Sequence, residues 1–162
     1  MPDITYRPAE RGDIELIMKF IRDLAEYEKL ADQVVADAGV LADWLFEKRV
    51  AKVVFALCGG VEAGFALYFH NFSTFLGRAG IYLEDLYVRP GYRGRGLGLG
   101  LMRYLARECV QLGCGRLEWS CLDWNQPSID FYTKKMHAVP MEEWTTYRLT
   151  GETLEQAAKA GD

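Results

Sequence analysis

The chain is poor in the residues that most often build a metal site. It has two histidines, His70 and His137, and its four cysteines stand at 58, 109, 114 and 121 with no CxxC pair. That pattern argues against zinc and leaves the cysteines as small core residues, reduced in a cytoplasmic protein. No apolar run is long enough to span a bilayer, and the opening MPDITYRPAERGD has no apolar signal core, so membrane insertion and export are not expected. Nor is there a basic excess. The formal net charge is −4, which speaks against a nucleic-acid binder and is compatible with a cationic substrate. The acid excess sits early: residues 1–50 hold 11 Asp and Glu against 7 Lys and Arg, whereas residues 51–162 hold 12 of each.

What is present suits one domain over residues 1–162, half hydrophobic and 13% aromatic. ITYRPA at 4–9 reads as a strand ended by Pro8. Ile14, Ile17, Met18, Ile21, Leu24 and Ala25 fall on one helical stripe, so a helix is expected over 13–27. A shorter helix is expected over 38–46 with Val40, Leu41, Trp44 and Leu45 inward. Two strands joined at Gly59-Gly60 form a hairpin, and 71–80 reads as a loop. A strand over 81–90 precedes a glycine-rich turn and a helix over 97–112. Then come a strand at 115–122, a short helix capped by Asn125 with Pro127 in its first turn, a last strand at 142–150 and a terminal helix at 153–160. The order β-α-α-β-β-β-α-β-α-β is an α+β (mixed α/β) arrangement built on one sheet.

The turn before the long helix carries glycines at 91, 94, 96, 98 and 100 and arginines at 89, 93 and 95. The first N–H groups of a helix lack internal acceptors, and the macrodipole favours an anion in front of them. Glycine lets a phosphate approach the backbone closely. GxGxxG fails, because leucines occupy 99 and 101, and the phosphate loop GxxxxGK[ST] fails for want of a Gly-Lys pair. Arg93-x-x-Gly96-x-Gly98 does fit [QR]-x-x-G-x-[GA], the coenzyme-A signature of the GNAT acetyltransferases. RDLAEYEKL, YLEDLYVRPGYRGRGLG and DWNQPSIDFY, in that order, resemble the diamine acetyltransferase branch, which comprises the spermidine/spermine and thialysine enzymes. The likeness runs over about 4–149.

The resemblance implies a twisted, mostly antiparallel sheet flanked by helices, with two strands splayed at the coenzyme. It implies acetyl-CoA as co-substrate, no metal, a small cationic amine as acceptor and a homodimer sharing or exchanging strands near 142–150. The pyrophosphate would lie on Arg93, Gly94, Arg95, Gly96, Leu97, Gly98 and Leu99. The pantetheine arm would pair with the backbone of Leu86, Tyr87 and Val88 like an added strand, with the Leu86 N–H as oxyanion donor. Asn125, Pro127 and Ser128 would lie near the sulfur. Tyr132 stands at the general acid's position, where a phenol with an ordinary pKa of about 10 suits protonation of a thiolate. Glu84 stands where the family binds the acceptor amine and draws off its proton through water. Asp85 competes for that role, and strand alternation puts it on the opposite face from Glu84. Tyr27 and Glu28 match substrate-contacting positions.

One departure follows Tyr132. The family has Gly-Ala about four residues on; here Met136-His137-Ala138 appears with one extra residue, and His137 stands in for glycine as the left-handed cap. The diamine, the lysine analogue and a peptide or protein amine all stay open as acceptors. So does a non-catalytic acyl-CoA or polyamine sensor, although such a sensor would have no use for an acid at the sulfur.

Overall fold

The computed structural model describes residues 2–159 and 161. The chain divides into two compact units, one ending at Trp124 and the other beginning at Asn125. No helix among the described residues is long and apolar enough to cross a membrane.

The first unit is built on a five-stranded sheet in the order of the chain: β1 (Ile4–Pro8), β2 (Lys52–Cys58), β3 (Val61–Ser73), β4 (Arg78–Val88) and β5 (Leu117–Trp119). The first three pairings are antiparallel, and β5 runs parallel to β4. That parallel pairing requires a crossover, which helix α3 (Leu97–Gln111) supplies. Helix α1 (Ile14–Tyr27) covers one face. Its stripe delivers Ile17, Phe20 and Leu24 to a core with Phe55, Phe65 and Leu67. Phe20 is wholly buried and stacks on Phe65 at 5.0 Å, a burial worth roughly 2–3 kcal/mol. Helix α3 covers the other face, because Gly64, the neighbour of Phe65, points at Leu101. Gly100 lets α3 lie against β1: a Cβ there would sit 2.9 Å from Cζ of Tyr6.

Several expectations hold. The helix stripe, the Gly59-Gly60 hairpin and the helix opening after Gly96 all appear. Three do not. Residues 71–80 are not a loop, since β3 runs on to Ser73 and β4 begins at Arg78. Gly77, at φ +70, closes a second hairpin there. The second helix, α2 (Ala38–Ala42), widens into a π turn over Asp43–Glu47. Leu45 is buried there, whereas Val40 and Trp44, expected inward, are 59% and 47% exposed. Residues 142–150 form no strand. A strand needs a ladder partner, and β5 pairs with β4 alone.

The second unit holds helix α4 (Gln126–Asp130), continued by a π turn over Phe131–Lys135, and helix α5 (Gly151–Lys159). The terminal helix was expected to reach Ala160, which lies outside the described residues. His137 sits at φ +58 and ends the π turn, the left-handed role anticipated for it.

Candidate active site

The site begins where β4 loses a neighbour. Its ladder with β5 ends at Leu83–Trp119, while its ladder with β3 continues to Val88–Gly64. From Glu84 to Val88 the strand is therefore paired on one side only. Backbone donors and acceptors on the other side suit an extended, amide-containing chain lying alongside. Leu86, Tyr87 and Val88 stand on this edge. Gly64 keeps the paired side close, since a Cβ there would come within 3.0 Å of the Tyr87 carbonyl oxygen.

A bulge places the acids at the start of this edge. Leu67 lies opposite Asp85 and Tyr68 opposite Leu83, so Glu84 is an inserted residue. Regular alternation does not survive it. Leu83 sits opposite Tyr68, on the α3 face, whereas Asp85 sits opposite Leu67, on the α1 face. The expectation that strand alternation alone sorts Glu84 from Asp85 is corrected accordingly. Glu84 is exposed and Asp85 half-buried. Burial first, then the charges of Glu84 and Glu28, pushes the Asp85 carboxyl up to about 7. Burial also raises Glu28. The Cys121 thiol is raised by burial and by the charges of Glu28 and Asp123. A negative field thus gathers where α1 ends and β4 parts from β5. Sequence reasoning ranked Asp85 second to Glu84. Both acids were visible in YLEDLY, but the bulge that buries one of them was not.

Beyond Val88 the chain turns through Pro90–Tyr92 into the glycine segment. Gly94 and Gly96 take φ +77 and +90, and Gly96 caps α3 with no side-chain hydrogen bond. The first turn of α3 has no acidic residue. Gly100 N–H donates to the Gly96 carbonyl at 2.9 Å, so the N–H groups of Leu97, Gly98 and Leu99 lack acceptors within the helix. Leu97 is buried and Gly98 and Leu99 are half-buried; what they offer an anion is backbone. The two arginines are placed differently. Arg93 Nε donates to the Val88 carbonyl at 2.8 Å, and its guanidinium lies over Tyr27 at 5.0 Å and Tyr87 at 5.3 Å. It acts as a strut between the end of α1 and the end of β4. Arg95 is exposed, and its guanidinium lies 5.5 Å over the Tyr92 ring.

Tyr27 ends α1 with its ring 6.4 Å from both Tyr87 and Trp124. Glu28 is the C-cap that follows it. Asn125, Pro127, Ser128 and Tyr132 belong to the second unit. Asn125, 5% exposed, caps α4: its Oδ1 accepts from the Ser128 N–H at 3.4 Å. Tyr132, half-buried in the π turn, packs edge-on against Phe131 at 5.5 Å. No group of three or more His, Cys, Asp or Glu among the described residues could hold a metal ion.

An open β4 edge, a bulge with adjacent carboxylates and a bare helix N-terminus thus follow one another from β4 into α3. Residues 17–138 match the acetyltransferase (GNAT) family, and the chain belongs to that family; it is an acetyltransferase. It is 36% identical over 170 residues to the thialysine N-epsilon-acetyltransferase of Sus scrofa, covering 98% of this chain and 99% of that protein. It is 43% identical over 99 residues to an L-ornithine N5-acetyltransferase of Arabidopsis thaliana, covering 61% of this chain and 43% of that one. A solved integron cassette protein from V. cholerae superposes with a TM-score of 0.80 at 29% identity, covering 97% of this chain and 98% of the other.

Proposed function

We propose that the protein moves the acetyl group of acetyl-CoA onto the terminal primary amine of a small polyamine-like or lysine-like substrate. Transfer is by direct attack, with both substrates bound together. The observation that carries this reading is the parting of β4 from β5 at Leu83, immediately before the Glu84–Asp85 pair. A cofactor arm and a cationic amine then meet along one strand edge. Bound acetyl-CoA supplies an activated thioester carbonyl.

The chain's own groups supply the rest. The free N–H groups of Leu97, Gly98 and Leu99 and the dipole of α3 hold the pyrophosphate. Arg95 adds charge, and Arg93 braces the strand end that pairs with the arm. The Leu86 N–H donates to the carbonyl oxygen as negative charge develops on it. Asn125, Pro127 and Ser128 position the arm near the sulfur. An aliphatic ammonium arrives charged, with a pKa of about 10, and Glu28, Glu84 and Asp85 attract it. Glu84, exposed to water, relays the leaving proton; Asp85, titrating near neutrality, is the second acceptor. Tyr132 donates its phenolic proton to the departing sulfur. Tyr27 walls the acceptor pocket beside Glu28. The resemblance and the exposed aromatics of 142–150 also support a homodimer, and the four free cysteines support a reducing, cytoplasmic setting.

The test is release of CoA thiol from acetyl-CoA with spermidine, spermine, putrescine, thialysine, lysine and a lysine peptide. Wild type is expected to turn over at least one small amine, and Tyr132→Phe to lose roughly a hundredfold in kcat. Release with the peptide alone would overturn the small-amine assignment. Tight acetyl-CoA binding with no release would overturn catalysis on these acceptors. An unchanged kcat in Tyr132→Phe would remove that tyrosine as the acid.

A further inference from the structure

The acceptor-binding residues proposed above are rich in carboxylates, yet a lysine, Lys29, directly follows one of them, Glu28. Helix α1 closes with the Leu30 N–H donating to the Ala25 carbonyl at 2.8 Å and the Lys29 N–H donating to the Glu26 carbonyl at 3.1 Å. This paired closure puts its penultimate donor in the left-handed region, a place that glycine fills without strain. Lys29 occupies it at φ +62. Its ammonium lies 4.9 Å above the ring of Trp124, and Trp124 packs against Tyr27. Lys29 forms no ion pair with any described residue, although Glu26 and Glu28 are close in sequence. An aromatic platform therefore holds a cation next to Glu28 with its charge uncompensated.

Such a cation repels an acceptor that carries only ammonium groups. It complements an acceptor with an amine at one end and a carboxylate at the other. Glu28, Glu84 and Asp85 then face the amines, and Lys29 faces the carboxylate. We infer that Lys29 binds the α-carboxylate of a diamino acid, so that the enzyme selects basic amino acids over carboxylate-free diamines. This rests on the acetyl-transfer reading and narrows its acceptor.

The experiment compares kcat/KM for lysine and thialysine with that for 1,5-diaminopentane, the decarboxylated counterpart of lysine. It uses wild type, Lys29→Gly, which keeps the left-handed turn, and Lys29→Arg, which keeps the charge. Wild type should prefer the amino acids. In Lys29→Gly the amino-acid-to-diamine ratio should fall roughly ten- to hundredfold, the range of a charge-assisted hydrogen bond, and mainly through KM. Lys29→Arg should retain most of the ratio. A wild type that prefers the diamine, or a Lys29→Gly ratio equal to wild type, overturns the assignment and leaves acetyl transfer standing. Absence of thiol release from wild type with every amine overturns both.

Discussion

Asp85→Asn should make the protein more stable at pH 8 and change little at pH 4. The Asp85 carboxyl is lifted from 3.8 to about 7 by burial and by its acidic neighbours. The native state therefore keeps a proton that the unfolded chain releases above pH 4. Stability falls as pH rises across that window and is restored as pH drops back through it. Three units at about 1.36 kcal/mol each set a ceiling of about 4 kcal/mol. Partial exposure of the side chain reduces this, and about 2–4 kcal/mol is expected. Asparagine is neutral throughout and nearly isosteric, so it escapes the penalty. For a chain of 162 residues, 1 kcal/mol moves Tm by about 2–4 °C, so the variant should melt roughly 5–15 °C higher at pH 8. Calorimetric melts of both proteins at pH 4 and pH 8 measure the difference, and the other carboxylates cancel between them. The same upward shift at both pH values would show that packing, not charge, is responsible. A lower Tm at pH 8 would refute the penalty outright. The variant should also lose activity, and wild-type kcat/KM should rise with pH through about 7 as Asp85 ionises.

Arg7 bonds to Asp13 at 2.8 Å and Glu62 at 2.9 Å, and both carboxyls are held below their ordinary values, chiefly by the hydrogen bonds from Arg7. Arg7→Met should cost about 1–2 kcal/mol in urea unfolding at pH 7. That loss should shrink below about pH 4, as the two acids take up protons in the folded protein; a cost independent of pH would assign it to packing instead. For the proposed homodimer, Trp144 and Tyr147 are 77% and 91% exposed. Replacing both by serine should shift sedimentation equilibrium from dimer toward monomer, and an unchanged dimer would place the interface elsewhere.

The parts of the fold legible in the sequence are those that local chemistry decides. The stripe from Ile14 to Ala25 needs only an apolar face to pack against. Gly59-Gly60 needs only a tight reversal, and Gly96 only a helix to cap. His137 was readable for the same reason, since a left-handed position must be filled by something that tolerates it. What escaped depends on partners far along the chain. Asn71 and Ser73 look like loop residues, yet they ladder with Gly80 and Arg78. EEWTTYRLT has the residues of a strand but finds no edge to join. At the site, the glycine turn and both acids could be found in advance. Their unequal burial could not, because that of Asp85 follows from a register fixed by Leu67 and Tyr68.

That register makes Glu84 a punctuation mark. Removing this single residue would bring Leu83, opposite Tyr68, directly beside Asp85, opposite Leu67, and the ladder would close up with every later side chain on its present face. Tyr87 would stay against α1, while the exposed carboxylate beside Asp85 would vanish. The sheet can therefore absorb a change of length here that the site cannot. Fold and chemistry part company at this position.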